Sequence, residues 1–284
     1  MDAATLGILR DTSVIVLLSL LLGVAVYQGM RTAFPESRVS IGRVDPSAFS
    51  LVDVLMVAGI ALLVLFGLNE SLGNVAQEAT KKEEAAELTA GGAFTGIVVQ
   101  LLICTGLLVY LSTLRGVNPA ELFGLRRVRL PRAALTGLLA IIPTWVIVTA
   151  CMVLMNGWMK GFWPDLQGQD TAEAFRQSDD VVAKIMMAIS AAIVAPLVEE
   201  TIFRGFIYGT LKKHTDGIFA ALASSLLFAV VHMHVGTLFP LAVLALAFCA
   251  AYEYTGSLLV PMVMHGIFNA TSLVLMILFP DMPS

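Results

Sequence analysis

The stretch GIFAALASSLLFAVVHMHVGTLFPLAVLALAFCAAY, Gly217 to Tyr252, contains no Asp, Glu, Lys or Arg. A membrane-spanning helix needs about 20 predominantly apolar residues. This run is too long for one crossing, so it divides near His234–Gly236 into two helices. Working outward, residues 181–211 form the span before it and 256–279 the span after it. Upstream, further charge-poor runs lie at 12–30, 51–69, 93–114 and 133–156. In lipid only helices or a closed barrel satisfy the backbone, and these runs lack the alternation of a barrel. The expected fold is all-α: a polytopic transmembrane bundle of about eight spanning helices.

Composition agrees with that expectation. The chain has 284 residues, 58% of them hydrophobic and only 13% charged, with net charge −4 and mean hydropathy +0.86. A soluble domain carries about 25% charged residues. No basic stripe runs along the sequence, so nucleic acid is not an expected partner. Cys104, Cys151 and Cys249 lie far apart in apolar runs, with no CxxC or Cys/His cluster, and read as packing residues. The start, MDAATLGILRD, has Asp2 and Asp11 against one Arg10. It lacks the basic beginning of a signal peptide, so the first apolar run reads as a retained helix.

The linkers hold the polarity. Residues 70–90 are rich in Ala, Glu and Lys and read as a solvated helical extension. Between residues 115 and 132 five arginines surround Asn118-Pro119-Ala120-Glu121, an N-cap followed by a first-turn proline and an N3 glutamate. Trp158, Phe162 and Trp163 suit an aromatic belt. Ten Lys and Arg fall on the odd-numbered linkers and six on the other side. The positive-inside rule then places both termini outside the cytoplasm. No internal repeat is visible. Residues 1–284 read as one integral membrane domain, with the chemistry in 181–279.

An ionisable side chain at membrane depth costs about 2.5–3.5 kcal/mol on insertion scales. The candidates there are Glu199, Glu200, Arg204, His232, His234 and His265, with Asn269 as a polar companion. Glu200 and Arg204 are four apart and share a helix face, so they can pair. Glu199 is rotated by about 100° and lacks that partner. Phe228 and His232 are four apart on the sixth helix, and His265 and Asn269 on the eighth. Pro196 removes a backbone hydrogen bond just before the glutamates, which kinks or widens the helix. His234 reads as a satisfied group near a helix end, His214 as a surface residue, and Asp53 and Glu253 as span-edge groups facing water.

No GxSxG or HExxH is present. What remains is water activation. A desolvated glutamate is a useful general base, and His and Asn donors on one face suit an oxyanion. Alternatively, a glutamate and two histidines hold a metal with an open position. Two non-hydrolytic readings also stand: a non-catalytic immunity or scaffold protein, and an ion- or proton-coupled transporter. A transporter is expected to carry paired broken helices.

The segments EETIFR (Glu199–Arg204), FAVVH (Phe228–His232) and HGIFN (His265–Asn269) resemble, in order, the EExxxR, FxxxH and HxxxN motifs of the CPBP family. These are the intramembrane proteases related to CAAX prenyl protease 2 and to bacteriocin-processing proteins. LFGLRR (Leu122–Arg127) resembles a segment often found upstream in them. The resemblance covers roughly residues 181–279. It implies an endopeptidase acting on membrane-associated, prenylated or small peptides. Glu199 would activate water, His232 would orient it, and His265 and Asn269 would stabilise the oxyanion. Glu200 and Arg204, with Phe228, would shape the site. It implies no required cofactor; if zinc or another divalent metal is bound, Glu199, His232 and His265 would be its ligands. The expected partners are membrane lipid and a peptide or protein substrate, and the expected location is the plasma (inner) membrane of a prokaryote. The sequence leaves the oligomeric state open.

Overall fold

The computed structural model describes residues 21–33, 42–78, 89–159, 174–176 and 178–279. These are helical throughout apart from short connections, with no strand among them. Helix α1 covers residues 21–33. It is followed by α2 (Leu51–Glu78), α3 (Ala90–Leu114), the single turn α4 (Pro119–Leu122) and α5 (Leu130–Met159). The remaining helices are α6 (Val181–His214), α7 (Gly217–Val230), α8 (Val235–Thr255) and α9 (Leu259–Leu278). The protein is an integral membrane helical bundle.

Among the described residues five helices, α3, α5, α6, α8 and α9, are long and apolar enough to cross a membrane. Two apolar helices, Leu51–Val64 within α2 and α7 itself, are shorter than a crossing needs. Residues 12–20 of the expected first span lie outside the described residues. Among the described residues, five of the about eight expected crossings are thus full-length. The shortfall has a physical cause at α7, which ends at Val230 because the chain turns over Val231–His234 with Met233 at φ 51°. The uncharged run Gly217–Tyr252 does divide, over Val231–His234, next to the expected point.

Two expectations about the linkers hold in part. Helix α2 continues through Glu78, as the helical-extension reading requires, while residues 79–88 lie outside the described residues. Asn118 caps α4, its side chain accepting from the Ala120 N–H at 3.0 Å, with Pro119 in the first turn. Trp158 is exposed near the end of α5; Phe162 and Trp163 lie outside the described residues.

The bundle is closed by two apolar clusters. One joins Phe123, Phe206, Tyr208, Phe228, Tyr252 and Leu258. The other sets Ala133, Ile141 and Val148 of α5 against Phe248, Val260 and Met264. Outward-facing Leu, Ile and Val on α3, α5 and α9 remain exposed, as a lipid-facing surface requires.

Asp53 does not face water, and Glu253 is only partly exposed. Asp53 is fully buried. It accepts from the Ser50 backbone N–H at 2.7 Å, Tyr110 Oη at 2.7 Å and Arg115 Nε at 3.0 Å. Glu253 accepts from Tyr208 Oη, from buried Lys212 Nζ and from the Val44 backbone N–H. Both sit at helix ends as expected. However, Arg115 at the end of α3 reaches Asp53, and residues 43–44 run back against Glu253. A buried carboxylate requires such partners.

Candidate active site

The EETIFR segment lies in α6, which is not a uniform α-helix. Ser190–Val194 and Thr201–Tyr208 are π-helical and flank an α-helical stretch, Ala195–Glu200. Wide turns of this kind are uncommon and recur at functional positions. Their carbonyls need other donors. Asn269 Nδ2 donates to Ala191 O at 2.8 Å, and buried Ser224 Oγ donates to Phe203 O at 3.0 Å. Gly266 lies over the same region: a Cβ placed there would sit 2.7 Å from Ala192 O. The absence of a side chain thus lets α9 approach the α6 backbone.

Glu200 and Arg204 pair as expected, with Arg204 Nη1 2.9 Å from Glu200 Oε1 and both side chains fully buried. The guanidinium lies between two aromatic faces, 4.3 Å from the Phe228 ring centroid and 5.1 Å from that of Phe248. Such contacts offset the cost of burying the charge. Glu200 Oε1 also faces His265 Nδ1 at 2.9 Å. A carboxylate only accepts, so the imidazole donates from Nδ1. The other ring nitrogen, Nε2, lies 3.8 Å from Glu199 Oε2. One imidazole therefore stands between the two adjacent glutamates.

Glu199 differs from Glu200 as the sequence predicts. Its side chain keeps 27% of its surface exposed, and it makes no pair with arginine. Its Oε2 is buried without a hydrogen bond, as are Glu200 Oε2 and Arg204 Nε and Nη2. Unsatisfied polar atoms gathered in one buried region are rare and mark a place where other polar groups are handled.

His232 enters the group differently from the expectation. It follows the end of α7 rather than sitting on it, and its Nδ1 lies 2.8 Å from Phe228 O. It makes no ion pair with either glutamate among the described residues. Its link is the Phe228 ring, 4.8 Å from His232 and 5.8 Å from His265 between centroids. Asn269, one turn beyond His265 on α9, donates one hydrogen bond from its amide nitrogen to Ala191 O. His234 caps α8, its side chain accepting from Thr237 N–H, and His214 is exposed; both sit as expected. Phe248 is the residue sequence reasoning missed. It is fully buried and stacks on His265 with ring centroids 5.1 Å apart. It belongs to no motif, and a phenylalanine in an uncharged helix gives no signal.

The metal alternative is tested by the donor set. Among the described residues no group of three His, Cys, Asp or Glu is arranged to hold a metal ion. Glu199 and His265 face each other, but His232 does not join them as a third ligand. The residues as placed do not fit the metal, and no step below is routed through one.

Comparison with known proteins converges on the same region. Residues 181–271 match the family described as type II CAAX prenyl endopeptidase Rce1-like, a span that includes the EETIFR, FAVVH and HGIFN segments. A protein of Bacillus subtilis (strain 168) named "Putative membrane peptidase YdiL" is 36% identical over 102 residues, 36% of this chain. The chain spans 41% of that relative's length. No solved structure matches.

Proposed function

We propose that this chain, whose residues 181–271 match the type II CAAX prenyl endopeptidase Rce1-like family, is an intramembrane endopeptidase of the CPBP type that hydrolyses a peptide bond with water activated by Glu199. The observation that carries this reading is the asymmetry of the two glutamates. Glu200 is neutralised by Arg204, whereas Glu199 is partly exposed and turns a buried, unbonded Oε2 toward His265. In a protein that uses charge so sparingly, an unneutralised carboxylate at membrane depth is a functional group.

The steps follow from the residues. Glu199 takes a proton from water as the water oxygen bonds to the substrate carbonyl carbon, and the carbonyl electron pair moves to oxygen. His265 acts in its imidazolium form: Nδ1–H is held by Glu200, and Nε2–H donates to the oxyanion. Glu199 then returns the proton to the amide nitrogen as the C–N bond breaks. His232, whose Nδ1 is occupied by the Phe228 carbonyl, offers Nε2 to the incoming water. Phe228 and Phe248 hold the two imidazoles and the Arg204 guanidinium in place.

This reading needs no cofactor. The substrate is a membrane-associated, prenylated or small peptide, reached from lipid. The chain is read as one membrane domain with residues 181–279 as its catalytic core, in a prokaryotic plasma membrane with both termini outside. The test uses purified protein in liposomes with a library of quenched fluorogenic peptides, some prenylated. The wild type should cleave members of the library, and Glu199→Ala and His232→Ala should each be slower by about 10²-fold or more. Equal rates would end the assignment. If Glu199→Gln retained full biological activity, a non-catalytic binding role for the same fold would be favoured.

A further inference from the structure

Asn269 was expected to face the reacting carbonyl, and its amide nitrogen also donates to the backbone of α6. The reason lies in the backbone. Ala195 N–H bonds to Ser190 O across the π-turn. The carbonyl of Ala191 therefore loses its α-helical donor, which would have been Ala195. Its π-helical donor would be residue 196, which is proline and has no N–H. Ala191 O is thus left without a backbone donor. An unpaired buried carbonyl is costly, and Asn269 Nδ2 supplies the missing donor at 2.8 Å. Ala192 O, whose α-helical donor would also be Pro196, is the atom that Gly266 approaches. On the other side of the same turn, Gln100 Nε2 of α3 lies 3.4 Å from Ser190 Oγ.

We propose that Asn269 is a positioning residue: it clamps the π-turn that Pro196 makes necessary, and so fixes the direction in which Glu199, three residues beyond Pro196, leaves α6. The proposal rests on the reading of Glu199 as the base, but its structural half does not depend on that reading. The same hydrogen bond ties α9 to α6 one turn below His265, so it sets the spacing of Glu199 and His265 as well.

The test is a double-mutant cycle between Asn269→Ala and Pro196→Ala, read as thermal unfolding in detergent and as kcat and KM. Alanine at 196 restores an N–H to the turn. If Asn269 is a clamp, Asn269→Ala alone lowers Tm and cuts kcat about tenfold or more. Adding Pro196→Ala then recovers a substantial part of both. If the two substitutions act additively on Tm, the clamp is wrong. If Tm couples but kcat shows no recovery, Asn269 acts on the reacting atoms and the positioning role is overturned. Absence of cleavage by the wild type removes the protease reading, while Tm coupling still decides the clamp. Should Asn269→Ala fail to fold, deuterium exchange of the Asn269 side-chain amide in the unaltered protein decides instead. Slow exchange supports the clamp, and exchange as fast as a free amide overturns it.

Discussion

Gly266→Ala is a one-methyl perturbation whose consequences can be worked from the structure. The new Cβ would lie 2.7 Å from Ala192 O, where ordinary contact begins near 3.4 Å. The obstacle is backbone rather than a flexible side chain, so α9 has to move away from α6 by about 0.7 Å, the difference between those distances. Gly266 is next to His265, whose Nδ1 is 2.9 Å from Glu200 Oε1. If that separation opens by the whole displacement it reaches about 3.6 Å, which is no longer a hydrogen bond. The Asn269–Ala191 bond is stretched in the same way. Overpacking of this kind costs about 1–3 kcal/mol; a 2 kcal/mol loss lowers Tm by about 4–8 °C in a chain of this size. Displacing a catalytic group by such a distance costs about 10²-fold in rate. Gly106→Ala is the control, because Gly106 on α3 has nothing within 4 Å of its added Cβ. Differential scanning fluorimetry in detergent, with peptide cleavage alongside, makes the comparison. If Gly266→Ala matches Gly106→Ala in Tm and cleaves within twofold of the wild type, the close approach of α9 to α6 is not what positions the site.

Two predictions concern the frame around the site. Asp53→Ala strips Tyr110 and Arg115 of a shared acceptor; the loss should be about 3 kcal/mol, at the lower end for a broken buried pair because Arg115 is partly exposed, and thermal unfolding checks it. Asp180 caps α6 and also accepts from Ala90 N–H at the start of α3. The backbone N–H of Ala183, with that of Ala90, holds its carboxyl below the usual value of 3.8. A depressed carboxyl contributes stability that is complete above the unfolded value and lost as pH falls through the folded one. Hydrogen exchange at the α3–α6 junction should therefore accelerate below about pH 4 in the wild type, and be insensitive to pH there in Asp180→Asn once intrinsic exchange is corrected.

The core of the site was legible because membrane burial makes charge informative. Glu200 and Arg204 at i and i+4 had to pair, and the same periodicity turned Glu199 away from them. Pro196 signalled a disturbed helix. The π-turns themselves were not legible, since apolar periodicity near 3.6 does not register one extra residue in a turn. That missing information is why the bond from Asn269 to Ala191 could not be foreseen. His232 was placed on a helix because FxxxH has helical spacing; the turn over Val231–His234 carries no charged or proline marker. Asp53 and Glu253 were misread for a different reason. Their partners, Arg115, Lys212 and the backbone near Val44, are distant in sequence, and only the folded chain brings them to the helix ends. The division of the uncharged run near His234 was legible, but the shortness of α7 was not, because apolar residues on either side of the turn give no charge signal.

The central claim is that Glu199 delivers a water molecule to the substrate carbonyl. Single-turnover cleavage in H₂¹⁸O, with the enzyme in excess over peptide, tests it directly. The account predicts one ¹⁸O atom in the newly formed carboxylate of the first turnover by the wild type, and product formation reduced by about 10²-fold or more in Glu199→Gln. An unlabelled carboxylate in that first turnover, or undiminished cleavage by Glu199→Gln, would contradict it.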